Sequence, residues 1–297
     1  MESRNFKRLL REKDVILLPG TFNALVAKLI EAKGFDAVYC TGAGISTSLL
    51  GLPDIGLISL SEMTQLVGYV CSAVRLPVIS DADTGFGNAL NAMRTVWEFE
   101  KIGAAGIHIE DQVAPKRCGH VAGKEVIAAE EMAAKIKAAV SARTNPDFVI
   151  IARTDAKSVE GLKAAIRRGQ LYRDAGADMI FPEALETKQE FEEFARSFPD
   201  IPLWANMTEF GKTPYFSLEE YRQMGYKVVV FPVSTMRVAM KAVDGFLTDL
   251  KQKGTQKDYV DKMQTRKELY ELVNYAQFTV WENLFLSTGG VDPLSRG

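Results

Sequence analysis

Eight short apolar runs constrain this chain more than any other feature, each followed by a polar or glycine-rich break and then by a stretch with helical spacing. They read VILLPG (15–20), AVYCTG (37–42), LPVISDAD (76–83), GIHIED (106–111), FVIIARTD (148–155), MIFPE (179–183), PLWANM (202–207) and VVVFPV (228–233). Nearly continuous runs rich in Val and Ile belong to strands buried on both faces, as in a parallel sheet covered by helices. Helix candidates lie between them at 88–102, 128–142, 159–175 and 188–197, and Gly34, Gly103, Gly176 and Gly225 stand as stop signals. Eight strand–helix units are the number that closes a (β/α)8 barrel of the TIM type. A doubly wound open sheet would want a G-x-G-x-x-G fingerprint after its first strand, and PGTFNA lacks that spacing. The expected organisation is an α/β barrel over residues 1–250, a helical extension over 251–285 and a flexible tail over 286–297.

Composition narrows the function classes. At 297 residues and 47% hydrophobic, the chain can fill one barrel-sized core. Its 36 basic and 38 acidic residues are mixed along the chain, so no basic stripe exists to track a nucleic acid. No apolar run reaches the roughly 20 residues of a membrane helix, and the opening MESRNFKRLLREKD lacks the apolar segment of a secretory signal, so a cytoplasmic location is expected. Three cysteines are too few and too widely spaced for a disulfide framework or a zinc knuckle. Cys40 and Cys71, set in apolar runs, read as inert small hydrophobes.

In a barrel of this kind the active site forms at the C-terminal ends of the strands. Polar residues gather there: Thr41 and Gly42, Asp81 and Asp83, Glu110 and Asp111, Arg153 and Asp155, Glu183, Asn206 with Thr208, and Arg237 beyond the eighth strand. So many ionisable groups cannot be core filling and imply a wet pocket, a metal and an anionic ligand. Asp81 and Asp83 are two apart, which in an extended strand points both carboxylates to one face. Hard oxygen ligands suit Mg2+, with Mn2+ the alternative, and Glu110 is placed to act through a water. Arg153 and Arg237 are positioned to clamp carboxylates or phosphates. His108 alternates with Ile107 and Ile109 and is expected to be a hydrogen-bonded structural residue.

The segment PKRCGH (115–120) follows the fourth strand directly. Lys116, Arg117 and His120 surround Cys118 with positive charge, which favours the thiolate, and Gly119 permits close backbone approach. A thiol redox or metabolite-binding protein on the same barrel is the reading from another class. It leaves the acid and metal set of Asp81, Asp83, Cys118 and Glu183 without a use.

GLPDIG (51–56), DADTGFG (81–87), IEDQ (109–112), PKRCGH, ARTDA (152–156), FPEAL (181–185), ANMTEFGKTPYF (205–216) and MQTRKELYELVNY (263–275) run in one order along nearly the whole chain. Through them the sequence resembles the isocitrate lyase/phosphoenolpyruvate mutase superfamily, and within it the 2-methylisocitrate lyases. The resemblance implies Mg2+-dependent cleavage of 2-methylisocitrate to pyruvate and succinate, as in propionate breakdown, by a homotetramer whose eighth helix is swapped between subunits. It implies metal binding by Asp81 and Asp83. It implies substrate contacts from Thr41, Gly42, Ala43, Cys118, Gly119, Arg153, Glu183, Asn206, Met207, Thr208, Arg237 and Arg266. Cys118 is then the acid that protonates the succinate carbanion, with Lys116 and His120 beside it. Closure of the 115–124 loop, hinged at Gly119 and Gly123, would exclude water, and Tyr39 and Glu183 are the candidates for the hydroxyl base. Thr41 departs from the family's usual serine, and its added methyl is expected to narrow the pocket. Cleavage of 2,3-dimethylmalate by the same machinery therefore stays open.

Overall fold

The computed structural model of the protein describes residues 5–119 and 123–287. Eight strands follow one another: β1 (Ile16–Thr21), β2 (Val38–Cys40), β3 (Val78–Asp81), β4 (Gly106–Glu110), β5 (Val149–Thr154), β6 (Met179–Pro182), β7 (Trp204–Asn206) and β8 (Val228–Phe231). Neighbours in sequence pair in parallel from β1 to β6 and from β7 to β8. β8 returns to β1 through Ile16↔Val228 and the pairs above it, and a parallel bridge Ile180↔Leu203 joins the β6 and β7 sides. The sheet thus closes into the (β/α)8 barrel that eight buried runs require.

The helices are α1 (Phe6–Glu12), α2 (Ala24–Ala32), α3 (Gly42–Ile45) running into a π turn at Ser46–Leu50, α4 (Leu60–Ala73), α5 (Ala89–Lys101), α6 (Ala129–Ala142), α7 (Lys157–Glu160), α8 (Leu162–Asp174), α9 (Lys188–Arg196), α10 (Leu218–Gln223), α11 (Ser234–Lys253), α12 (Arg266–Leu272) and α13 (Tyr275–Ser287). Local chemistry sets several starts: the side chains of Ser59, Asn88 and Ser217 each cap a helix, and their own N–H groups donate back to the side chain three positions on. The four stop glycines have φ between 80° and 101°. The single helix expected at 159–175 is instead two, because Gly161 at φ 89° breaks the ladder between α7 and α8.

Two apolar layers result. Outside the strands, one cluster runs from Ala27 through Phe99, Ile136 and Tyr172 to Tyr226, between sheet and helices. Inside the barrel, Ile16, Leu18, Tyr39, Ile79, Val149, Ile151, Met179, Phe181, Trp204, Val228 and Val230 form the second, joined by Phe6 of α1. Its upper part is aromatic: His108 lies 5.4 Å from Phe181 and 5.8 Å from Tyr39, and Trp204 lies 5.7 Å from Tyr39. Deleting the fully buried Trp204 side chain would cost about 3–5 kcal/mol.

The chain divides into two compact units, Met1–Val238 and Ala239–Gly297, the boundary falling within α11. In the second unit none of the described side chains is buried, and Tyr270, Tyr275, Phe278, Trp281 and Phe285 are among its exposed rings. The tail expected at 286–297 lies almost wholly outside the described residues. Among the described residues, no helix is long and apolar enough to cross a membrane.

Candidate active site

The barrel's period of two carries its interior face up to the mouth. Asp81 stands two residues past Ile79 on β3, Glu110 two past His108 on β4, Arg153 two past Ile151 on β5, Glu183 two past Phe181, and Asn206 two past Trp204 on β7. The charged residues therefore form the next layer on the aromatic floor. Glu110 sits opposite Arg153 in register, and its Oε2 lies 3.2 Å from Arg153 Nε. Arg153 Nε and Nη2 donate to Asp155 at 2.9 and 3.2 Å, its Nη1 lies 3.6 Å from Glu183 Oε2, and Asn206 Nδ2 donates to both Glu183 oxygens at 3.2 Å.

Asp81 and Asp83 meet in a different way from the one their spacing predicts. β3 ends at Asp81, and Asp83 sits in a turn at φ 45°, a left-handed conformation costing about 1–2 kcal/mol for a residue with a Cβ. The turn is held by the Asp83 N–H donating to Asp81 Oδ1 at 2.9 Å. Burial pushes the Asp83 carboxyl up to about 6, against the pull of Lys116. Burial also opposes the charge on Asp81, but His108, Lys116 and Arg153 outweigh it and hold that carboxyl below its ordinary value. Burial takes His108 itself down to about 4, so it is neutral at neutral pH and the two cations carry that effect. His108 is the structural residue expected, its Nε2 paired with the Tyr39 hydroxyl at 2.8 Å.

The cysteine segment is pressed onto this layer. A Cβ on Gly119 would lie 2.5 Å from Arg153 Nη2 and 2.6 Å from Glu183 Cγ, so only glycine allows the backbone this close. Cys118, the neighbouring residue, is half-buried. Lys116 reaches back to ion-pair with Asp54 and, at 3.0 Å, with Asp83, while Lys124 donates to the Gly119 carbonyl at 2.6 Å. His120 and the centre of the 115–124 segment lie outside the described residues.

Thr41, Gly42 and Ala43 open α3 beside β3, with Gly42 so close that a Cβ would meet Asp81 Oδ2 at 2.4 Å. The Thr41 hydroxyl accepts from the Gly44 N–H, and its methyl packs on Gly44, where a Cβ would sit 2.4 Å away. The methyl expected to narrow the pocket thus packs on a glycine three residues on. Thr208 and Arg237 stand by β7 and β8, Arg237 half-exposed, 3.5 Å from Glu209 and stacked 5.3 Å over Phe210. Alternation turns Met207 outward into the core, where Tyr221 donates to its sulfur at 3.5 Å, so its side chain does not face the mouth. Arg266 begins α12 in the second compact unit. Asp111, read as part of the ring, is a structural anchor behind it: it accepts from Thr154, Tyr172, Arg168 and the Asp155 N–H. Asp54 and Lys124 carry no weight in the sequence reading, although the GLPDIG stretch contains the first.

The donor set fits a divalent cation. Asp54, Asp81, Asp83, Glu110, Asp155 and Glu183 outnumber Lys116, Lys124 and Arg153, and neither oxygen of buried Glu110 has a hydrogen bond. Burial pushes the Glu110 carboxyl well up, against the pull of Arg153 and Lys116. Among the described residues no three His, Cys, Asp or Glu side chains converge as a closed metal cage. An oxygen pair of this kind suits a hard divalent cation that is not enclosed by protein ligands alone.

Comparison with known proteins agrees with this geometry. The family described as phosphoenolpyruvate phosphomutase matches residues 6–251. A 2-methylisocitrate lyase of Aeropyrum pernix is 53% identical over 92% of this chain and 87% of its own length. Crystalline 2,3-dimethylmalate lyase, a PEP mutase/isocitrate lyase superfamily member, superposes with a TM-score of 0.89 at 33% identity, covering 98% of each chain. Phosphonopyruvate hydrolase complexed with oxalate and Mg2+ superposes with a TM-score of 0.87 at 30% identity, covering 97% of this chain and all of that one. The chain belongs to the phosphoenolpyruvate mutase/isocitrate lyase family.

Proposed function

We infer that the protein is a carbon–carbon lyase that cleaves 2-methylisocitrate to pyruvate and succinate. The observation that carries this reading is the seating of Gly119 against Arg153 and Glu183, which brings the cysteine segment to a carboxylate-binding corner of a family whose relatives bear that activity. The substrate is a small polycarboxylate, and the roles assigned to the site follow from the chemistry such a molecule needs.

Cleavage takes the proton from the substrate hydroxyl, turns C–O into C=O, breaks the adjacent C–C bond and leaves its electron pair on the succinate half. Glu183 is the better placed base, because burial and the nearby Asp81 hold the Tyr39 phenol far above its ordinary value and hence protonated. Cys118 delivers the proton that turns the carbanion into succinate. Arg153, Asn206, Thr208, Arg237 and Arg266 bind the carboxylates, and beside Thr41 the backbone N–H groups of Gly42 and Ala43 stand at the start of α3. Asp81 and Asp83, with Glu110 through water, would hold Mg2+, which would supply Lewis-acid stabilisation of negative charge developing on the substrate. Lys116 neutralises Asp83 and Asp54 beside it. The working form in this reading is a cytoplasmic homotetramer with swapped C-terminal helices.

The test is release of 2-oxo acid from 2-methylisocitrate, isocitrate and 2,3-dimethylmalate, and of oxalate from oxaloacetate, with and without Mg2+. Pyruvate from 2-methylisocitrate at the highest kcat/KM is expected, lost with EDTA and restored by Mg2+. A preference for 2,3-dimethylmalate would move the assignment to the activity of the structural neighbour.

A further inference from the structure

The cysteine segment ends in a second buried lysine that the reaction leaves without a task. Lys124 has a side chain only 2% exposed. Its ammonium donates to the Gly119 carbonyl at 2.6 Å and to Asp155 Oδ1 at 2.7 Å. The same Asp155 carboxylate accepts both bonds from Arg153, and its own N–H is fixed by Asp111 Oδ1 at 2.8 Å.

We propose that Lys124 is a positioning residue for Cys118, tying the peptide on the C-terminal side of the cysteine to the carboxylate that aligns Arg153. Proton donor and carboxylate clamp are then set against one anchor, and the assignment rests on the lyase reading above. Burying an ammonium costs several kcal/mol unless its partners are fixed, and here Asp155, which also takes two bonds from Arg153, is one fixed partner and the Gly119 carbonyl the other. What Lys124 adds is the bond to the Gly119 carbonyl, a charge-assisted contact about twice as strong as a neutral one. Independent of that bond, the clash awaiting any Cβ at Gly119 shows the backbone held at contact distance from Arg153 and Glu183. The anchor extends outward from Asp155 through Asp111 to Tyr172 and Arg168 on α8, so the position of the segment is referred to the body of the barrel.

Lys124→Met removes the ammonium and keeps the volume, while Asp155 retains both Arg153 bonds, so the fold should survive. Three readouts on the full chain test the proposal: kcat, KM for 2-methylisocitrate with Mg2+, and the rate at which iodoacetamide alkylates Cys118, followed by mass spectrometry of its peptide. A displacement of the donor by about 1 Å predicts a fall in kcat of about 100-fold with KM changed less than about threefold. Alkylation of Cys118 should quicken several-fold as the segment loosens, and Lys124→Arg, which keeps charge and donors, should recover part of both losses. Wild-type kcat and alkylation rate in Lys124→Met overturn the assignment. So does a fall in kcat with alkylation unchanged and no recovery in Lys124→Arg, the mark of a merely structural lysine. Should Lys124→Met not fold, Lys124→Gln carries the same comparison. If the lyase reading itself is wrong, the wild type releases no 2-oxo acid while the alkylation contrast still reports the tether.

Discussion

The two sides of the barrel mouth are built on different terms. From β3 to β6 the polar layer is buried and its members bond one another: Asp81, Asp83, Glu110, Arg153, Asp155 and Glu183 are all less than a tenth exposed. By β7 and β8 the layer thins to a partly buried Asn206, a buried but uncharged Thr208 and a half-exposed Arg237 whose nearest partners are Glu209 and the open ring of Phe210. Charges in a dry, preorganised arc act strongly on a reacting centre, whereas charges in water mainly recruit and orient. The β3–β6 arc should therefore govern kcat and the β7–β8 arc KM.

The sharpest break in that contrast is at the cysteine. Cys118→Ser is expected to lower kcat by about 10²–10⁴-fold, the usual range for a general acid, with KM nearly unchanged in steady-state pyruvate release. Arg153→Lys follows. It keeps the charge but loses the two-pronged bond to Asp155, and should cost about 10–100-fold in kcat/KM, carried chiefly by kcat. On the other side, Arg237→Ala should raise KM about tenfold and leave kcat within about twofold, as loss of uniform binding does. Smallest is Thr41→Ser. Because its methyl packs on Gly44, removing it should change kcat/KM for 2-methylisocitrate by less than about twofold, and a larger shift in substrate preference would return Thr41 to the role of a pocket wall.

The same contrast explains what could be read before any coordinates. The strands were legible because each is an apolar run of its own, and the strand-end residues Asp81, Glu110, Arg153, Glu183 and Asn206 were legible because the period of two is preserved through them. Asp83 was found for a reason that does not hold, since a turn at positive φ, not an extended strand, brings it beside Asp81. Asp111 shows the limit of counting strand-end charges. It follows Glu110 by one residue, faces the opposite side, and its partners on α8 lie some sixty positions away in sequence. Asp54 and Lys124 escaped because their importance lies in pairs with Lys116 and Asp155 that no local pattern announces. Gly44 escaped likewise, because its need to be glycine comes from the side chain of Thr41. In the C-terminal unit the helices were legible as charged sequence without strands, but their exposed rings carry no periodic signal of what they face.

The most direct test of the account is the stereochemistry of the succinate formed in D2O. With Mg2+ and 2-methylisocitrate, the wild-type protein should release pyruvate together with succinate carrying one deuterium on the carbon that held the broken bond, in a single configuration. That outcome is required if a positioned, solvent-exchanged thiol beside the buried arc protonates the carbanion from one face. Succinate with both configurations in equal amount, or no cleavage of 2-methylisocitrate at all, would contradict it.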